Sequence, residues 1–300
     1  MKDNTHLVRN SAQLSQPIIE KRKTWNKLKK ISLTLFVLSF ITKILTVYIK
    51  PTGIFALISL LFDFLPFPSL VLLAISTVAS ITLKGQQTKL IADVDGFQII
   101  NSVFPDAGYT PDYGISKEEF LNTHIARKLK SEEFYSKNLI AGTYQNVSFR
   151  YSDIEIVDYD SDNDPHTLFK GYLVKFQSDK LFGPYRIQFT SKKASLKPEK
   201  DMLKAKTDYP DFDESFSTFL DNESYLSTVI TPERLQYITD LLKLDEQVYV
   251  CYDGTANSLY VMVNDGFLIS VSDENFSMER ISDKAVNRLR SIQNHIDILC

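Results

Sequence analysis

Only two cysteines, Cys251 and Cys300, and four histidines occur in the 300 residues. Two thiols cannot build a disulfide scaffold, and four scattered histidines cannot build a His-rich metal centre. The ten glycines never fall into GxGxxG or GxxxxGK, so no loop for cradling a nucleotide phosphate is present. HExxH, CxxC and GxSxG are also missing, which removes the common zinc and serine-hydrolase signatures. No internal repeat is found. What remains is an ordinary balance of 44% hydrophobic and 24% charged residues, incompatible with general disorder. The length fits one large domain or two ordinary ones.

Charge and hydropathy are unevenly spread. Residues 1–30 carry eight Lys or Arg against Asp3 and Glu20, a net of +6. The apolar stretch 31–83 adds only Lys43, Lys50 and Asp63, a net of +1. With −3 for the whole chain, residues 84–300 hold −10. An acidic domain repels phosphate backbones, so nucleic acid is not an expected partner.

Two membrane spans are expected. Ile31–Ile49 is a nineteen-residue apolar run, enough to cross a hydrocarbon core of about 30 Å at about 1.5 Å per residue. Lys43 lies near its far end, where the ammonium can reach the interface. The second apolar run, Ile54–Leu83, is too long for one upright crossing and is divided by Asp63, Pro66 and Pro68. Pro68–Leu83 is read as the second span and Ile54–Phe67 as interfacial or re-entrant. Six cations between Lys21 and Lys30, and Lys84 and Lys89 after the second span, place both termini in the cytoplasm of a multi-pass protein in the cell membrane. Trp25 suits an interfacial anchor. An ion pair between Lys43 and Asp63 would suggest ion or proton transport; the simpler reading has Lys43 snorkelling and Asp63 facing water. The two free thiols agree with a reducing compartment.

The expected class is α+β: a helical membrane hairpin after a basic tail (1–30), then a cytoplasmic domain (84–300) with an antiparallel sheet and flanking helices. The second span should run on as a helix towards Pro105. Ser116 and Glu119 read as a capping box for a helix reaching about Lys130. Strands are expected at Gly142–Tyr151, Asp153–Tyr159, Thr167–Phe176 and Tyr185–Thr190. Lys192–Lys206 reads as a basic linker and Asp208–Glu223 as an acidic, solvated loop. Asp221 is placed as cap of a short helix, and Thr231 with Pro232 opens a clearer one. A hairpin around Asp253-Gly254 and a turn at Asn264-Asp265-Gly266 lead to a strand at Phe267–Val271. A terminal helix from Ser277 carries a stripe of Ile281, Ala285, Leu289, Ile292, Ile296 and Leu299.

Candidate chemistry is sparse. Asp158, Asp160, Asp162 and Asp164 alternate like the start of a calcium loop, but the glycine at the sixth position and the glutamate at the twelfth are missing. A hairpin tip accounts for the run equally well. His124 and His295 sit within predicted helices and read as packing or surface residues. Cys251, inside a predicted strand, reads as buried and inert. No catalytic or cofactor-binding set emerges.

The pieces GTYQNVSFRYSDIEI (142–156), Phe169-Lys170-Gly171 and ITPERL (230–235), after an acidic FDESF block and two apolar segments, resemble the bacterial membrane-protein family filed as domain of unknown function 3137. The resemblance implies a membrane-tethered cytoplasmic domain with no assigned reaction and a LemA-like membrane protein as a possible partner. The tail beyond Ser270 and the stretch QSDKLFGPYRIQF depart from that pattern. An interaction or scaffold module at the inner face of the membrane is therefore the leading expectation. A membrane-tethered ligand sensor or uncharacterised enzyme is the alternative, and a small transporter or channel subunit comes third. The oligomeric state is not legible.

Overall fold

The computed structural model describes residues 5–48, 65–126, 133–177, 185–198, 201–222, 226–242, 247–269 and 278–300. They form two compact units, the first from 1–95 with 271–278 and the second from 96–270 with 279–300.

In the first unit, α1 (Thr5–Tyr48) is one continuous helix, with Pro17 inside it. The basic stretch before Lys30, expected as a tail, is thus helical from Thr5 onward. A second helix, α2 (Pro66–Val103), which belongs to this unit as far as Asp95 and to the second from Gly96, contains the expected span Pro68–Leu83 and runs on towards Pro105. Among the described residues α2 is the one helix long and apolar enough to cross a membrane. The two helices run antiparallel: Ser80 Oγ donates to Asn26 Oδ1 (2.9 Å) and Arg22 Nη1 to Gln87 Oε1 (3.3 Å). Residues 49–64, including the interfacial piece, lie outside the described residues.

The second unit is α+β. Its sheet has nine strands in the order β1-β2-β3-β4-β9-β8-β5-β7-β6, every neighbouring pair antiparallel. The strands are β1 (Gly108–Thr110), β2 (Glu133–Tyr144), β3 (Val147–Tyr159), β4 (Pro165–Gln177), β5 (Arg186–Ser191), β6 (Leu203–Ala205), β7 (Phe216–Leu220), β8 (Val248–Asp253) and β9 (Ser258–Val263). The central strands β8 and β9 are buried at every position, as a sheet covered on both faces requires. On one face Ile115, Phe120, Ile125 and Leu196 pack over Ile154, Phe169, Leu173, Cys251 and Met262. On the other lies α7 (Met278–Leu299): its buried stripe Ala285, Leu289, Ile292, Ile296 and Leu299 is the expected one. Arg288 of α7 stacks over the Tyr172 ring and His295 meets Phe176 edge-on. Each fully buried large apolar side chain in these layers contributes about 1.5–3 kcal/mol.

Several elements differ from the sequence reading. Gly142–Tyr151 is not one strand: Gln145 and Asn146 both have positive φ (49° and 65°) and form the two-residue turn of a β2–β3 hairpin. β3 continues unbroken through Ser152 and Asp153. The helix after Ser116 stops early; α3 is Lys117–Leu121. Ser116 caps it as expected, but Glu119 turns to Arg150, and His124 (φ 59°) takes a left-handed backbone that no helix continues through. The acidic stretch is structured, with α4 (Pro210–Ser215) and β7 burying Phe212, Phe216 and Leu220. Asp221 accepts from the Arg186 backbone N–H (3.0 Å) rather than capping α5 (Leu226–Val229). Thr231 does cap α6 (Pro232–Leu242), receiving the Arg234 N–H. Of the strand expected at Phe267–Val271, residues 267–269 form none and 270–271 lie outside the described residues; Leu268 is tied to the sheet through the Asp153 side chain instead.

Candidate functional site

Three cross-strand partners, Arg150 on β3, Lys175 on β4 and Tyr260 on β9, stand side by side on one face of the sheet. Two cations directly opposite each other repel. Arg150 answers by pairing with Glu119 of α3, and Lys175 reaches over the Tyr260 ring, 6.0 Å from its centroid. α3 can present Glu119 because Phe120 is fully buried and stacks on Phe134 at 5.2 Å, while Thr123 Oγ1 closes the helix end onto the Phe120 carbonyl. Between α3 and the strands lies a cleft of about 270 Å³, floored by Ile115, Leu173 and Tyr260 and rimmed by Glu118, Asn122, Arg150 and Lys175. Burial pushes the Tyr260 hydroxyl up to about 12, so it stays protonated and offers a hydrogen rather than a base. The cleft therefore presents charges of both signs over an apolar floor, a surface suited to recognising a polar group.

The opposite face holds a buried polar network. A bulge in β2 sets Asn138 and Leu139 against Ser152 alone, and Asn138 takes a left-handed backbone (φ 57°). Its amide is thereby fully buried: Tyr109 Oη donates to Asn138 Oδ1 (2.8 Å), and Asn138 Nδ2 donates to Asp153 Oδ2 (2.6 Å). Asp153, with no exposed surface, also accepts from Tyr151 Oη (2.7 Å) and from the Leu268 N–H (3.0 Å to each oxygen). Burial pushes the Asp153 carboxyl up, and the bonds from Asn138 and Tyr151 pull it back. Arg288 donates to the carbonyls of Asp265 and Gly266 and pairs with the Asp265 carboxylate. Phe267, in the same segment, has Lys137 and Lys170 over its ring, 4.2 and 4.6 Å from the centroid. Burial lowers the Lys137 pKa. Gly171 lets this segment lie close: a Cβ there would come within 1.9 Å of the Val263 carbonyl oxygen. The network thus fastens residues 264–268 to the sheet.

The sequence candidates fall elsewhere. Asp160 receives the N–H groups of Asp162 and Asp164 (both 2.9 Å) and pairs with His166 at 3.0 Å, the arrangement of a capped hairpin tip. His166 draws the Asp160 pKa down. Asp158 accepts from its neighbour's N–H, and among the described residues no three His, Cys, Asp or Glu side chains gather as metal ligands. Lys43 is exposed on α1, Trp25 is half-buried there, and Asp63 lies outside the described residues. Cys251 is fully buried in β8. His295 is fully buried too, its Nδ1 2.7 Å from Tyr237 Oη, and burial depresses the ring to about 3. Arg150 and Lys175 escaped the sequence reading because only strand register brings them together, and Glu119, read there as part of a capping box, turns instead to Arg150. The SDIE piece did flag Asp153, without indicating its burial.

No family model matches the chain, and neither a curated protein nor a solved structure matches it.

Proposed function

We propose that the chain is a membrane-anchored interaction module: α1 and α2 embed as two spans, and the α+β unit docks a partner at the cytoplasmic face. The observation that carries the anchoring is the apolar surface of the first unit. On α1, Leu33, Phe40 and Ile44 are each half-exposed or more; on α2, Phe67, Val78 and Ile81 are exposed by 76, 64 and 65%. Such continuous apolar exposure is not sustainable in water. The polar side chains within it are internally satisfied: the hydroxyls of Ser32, Thr34, Ser39 and Thr42 donate to carbonyls one turn back, as do those of Ser76, Thr77 and Thr82. A hydrocarbon surrounding demands this. The cations Lys21–Lys30 favour cytoplasmic termini. This reading accords with the resemblance to the two-span family described above, and a LemA-like membrane protein is one partner it would predict.

The docking half of the proposal rests on the mixed-charge cleft between α3 and the sheet. A photo-crosslinking residue placed at Lys175 in the full-length protein tests it. One stoichiometric membrane-protein adduct at Lys175, absent with the same probe at Tyr135, is the expected result. Full activity in cells from residues 86–300 without the helices would overturn the anchored-module reading. A second reading, a tethered ligand sensor, is favoured by the same cleft, in which Arg150 is paired with Glu119 while Lys175 lies over the Tyr260 ring. A small-molecule adduct at Lys175 without a protein adduct would shift the assignment that way.

A further inference from the structure

Residues Ile19, Arg22, Lys23, Asn26, Lys27 and Lys30 of α1 recur at spacings of three and four, so they share one helix face. With Gln87 of α2 they line a cavity of about 220 Å³. Four of the seven lining residues are cationic and none is acidic. The two amides are set as donors. Arg22 Nη1 occupies Gln87 Oε1 (3.3 Å) and Ser80 Oγ occupies Asn26 Oδ1 (2.9 Å). Gln87 is fully buried, and its Nε2 has no hydrogen-bond partner. A buried amide N–H left unmade costs about 1–3 kcal/mol. Lys23 and Lys27, and Lys27 and Lys30, stand one turn apart on α1, where like charges repel. A multivalent oxyanion relieves both penalties at once. The cavity's place in the unit identifies the source of that anion: Lys30 immediately precedes Ile31, where the exposed apolar surface of α1 begins. That is the level of the phospholipid headgroups if the helices embed.

We propose that this cavity binds the phosphate of an anionic phospholipid headgroup, with Arg22, Lys23, Lys27 and Lys30 supplying charge and Gln87 Nε2 a fixed hydrogen bond. The inference rests on the membrane-anchored reading above, and the experiment separates the two. Full-length protein is first mixed with vesicles of pure phosphatidylcholine and floated; failure to float would overturn the anchoring and the lipid site together. The protein is then held in a neutral maltoside detergent and titrated with phosphatidylglycerol, followed by native mass spectrometry. Saturable retention of one lipid is expected. Lys23→Gln/Lys27→Gln should bind at least tenfold more weakly than Lys21→Gln/Lys29→Gln, which removes the same charge from positions that do not line the cavity. Gln87→Leu should weaken binding several-fold while keeping every charge. Equal losses in the two lysine pairs, or equal retention of phosphatidylcholine, would overturn the site while leaving the anchoring intact. Equal binding of glycerol 1-phosphate would also overturn it, since a free phosphate ester would then suffice.

Discussion

Replacing Asp153 by alanine removes the acceptor on which three buried donors converge. Asn138 Nδ2, Tyr151 Oη and the Leu268 N–H lie 2.6, 2.7 and 3.0 Å from its oxygens. Each unsatisfied buried donor costs about 1–3 kcal/mol, and partial relaxation with water entry reduces the sum. The expected loss is about 3–5 kcal/mol, the range seen when one partner of a buried charged network is removed. Asp153→Asn keeps the planar shape and one acceptor oxygen but turns an NH₂ towards a donor, and should cost about 1–3 kcal/mol. Near-UV circular dichroism of the tyrosines during thermal denaturation in detergent is the right assay; the single tryptophan, Trp25, lies on α1 and does not report on the sheet. Hydrogen exchange at residues 264–269 should accelerate together with the loss of stability. The pH dependence adds a second readout. Burial raises the Asp153 pKa, so the folded state holds this proton more tightly than the unfolded chain, at about 3.9. Its contribution is therefore complete below about pH 4 and declines as pH rises through the folded value, and Asp153→Asn should lack that limb. A loss below about 1 kcal/mol in Asp153→Ala, with unchanged exchange at Leu268, would refute the network as the fastening of this segment.

Three further outcomes follow from the fold. Gly171→Ala should destabilise by about 1–3 kcal/mol or more, read from the same melting curve, because its Cβ would sit 1.9 Å from the Val263 carbonyl oxygen. His295, held near 3 by burial against an ordinary value of 6.5, favours folding fully above about pH 6.5 and loses that contribution as pH falls towards 3; acid titration of His295→Gln should lack this limb. Gln145→Gly should raise stability by about 0.5–1 kcal/mol in thermal denaturation, since glycine adopts the positive φ of that turn without strain.

Legibility followed the range of the interactions. The terminal helix, the Thr231 cap, the β8–β9 hairpin and the run of α2 towards Pro105 rest on periodicity and local caps, and sequence displays these directly. The Gln145-Asn146 turn was hidden because glutamine carries no turn signature; the hairpin holds it at positive φ through pairing on both sides. The acidic stretch misled because its carboxylates outnumber the aromatic residues that decide its fate, and Phe212, stacked on Phe216, meets Phe189 of β5 only in three dimensions. The cleft residues were least visible. Arg150, Lys175 and Tyr260 are separated by 25 and 85 positions in the chain, and strand register alone makes them neighbours.

The strand order also dictates a timetable. Strands β1 to β4 form one run of neighbours and β5, β7 and β6 another, yet no hydrogen bond joins β4 to β5. The β8–β9 hairpin bridges them, and it is the last part of the sheet to leave the ribosome. Until Val263 has emerged, the nascent chain carries two half-sheets with bare inner edges, each a template for pairing with another chain. Completion of the ninth strand closes both edges in one step, so a truncation before residue 248 should yield aggregates rather than a smaller folded domain.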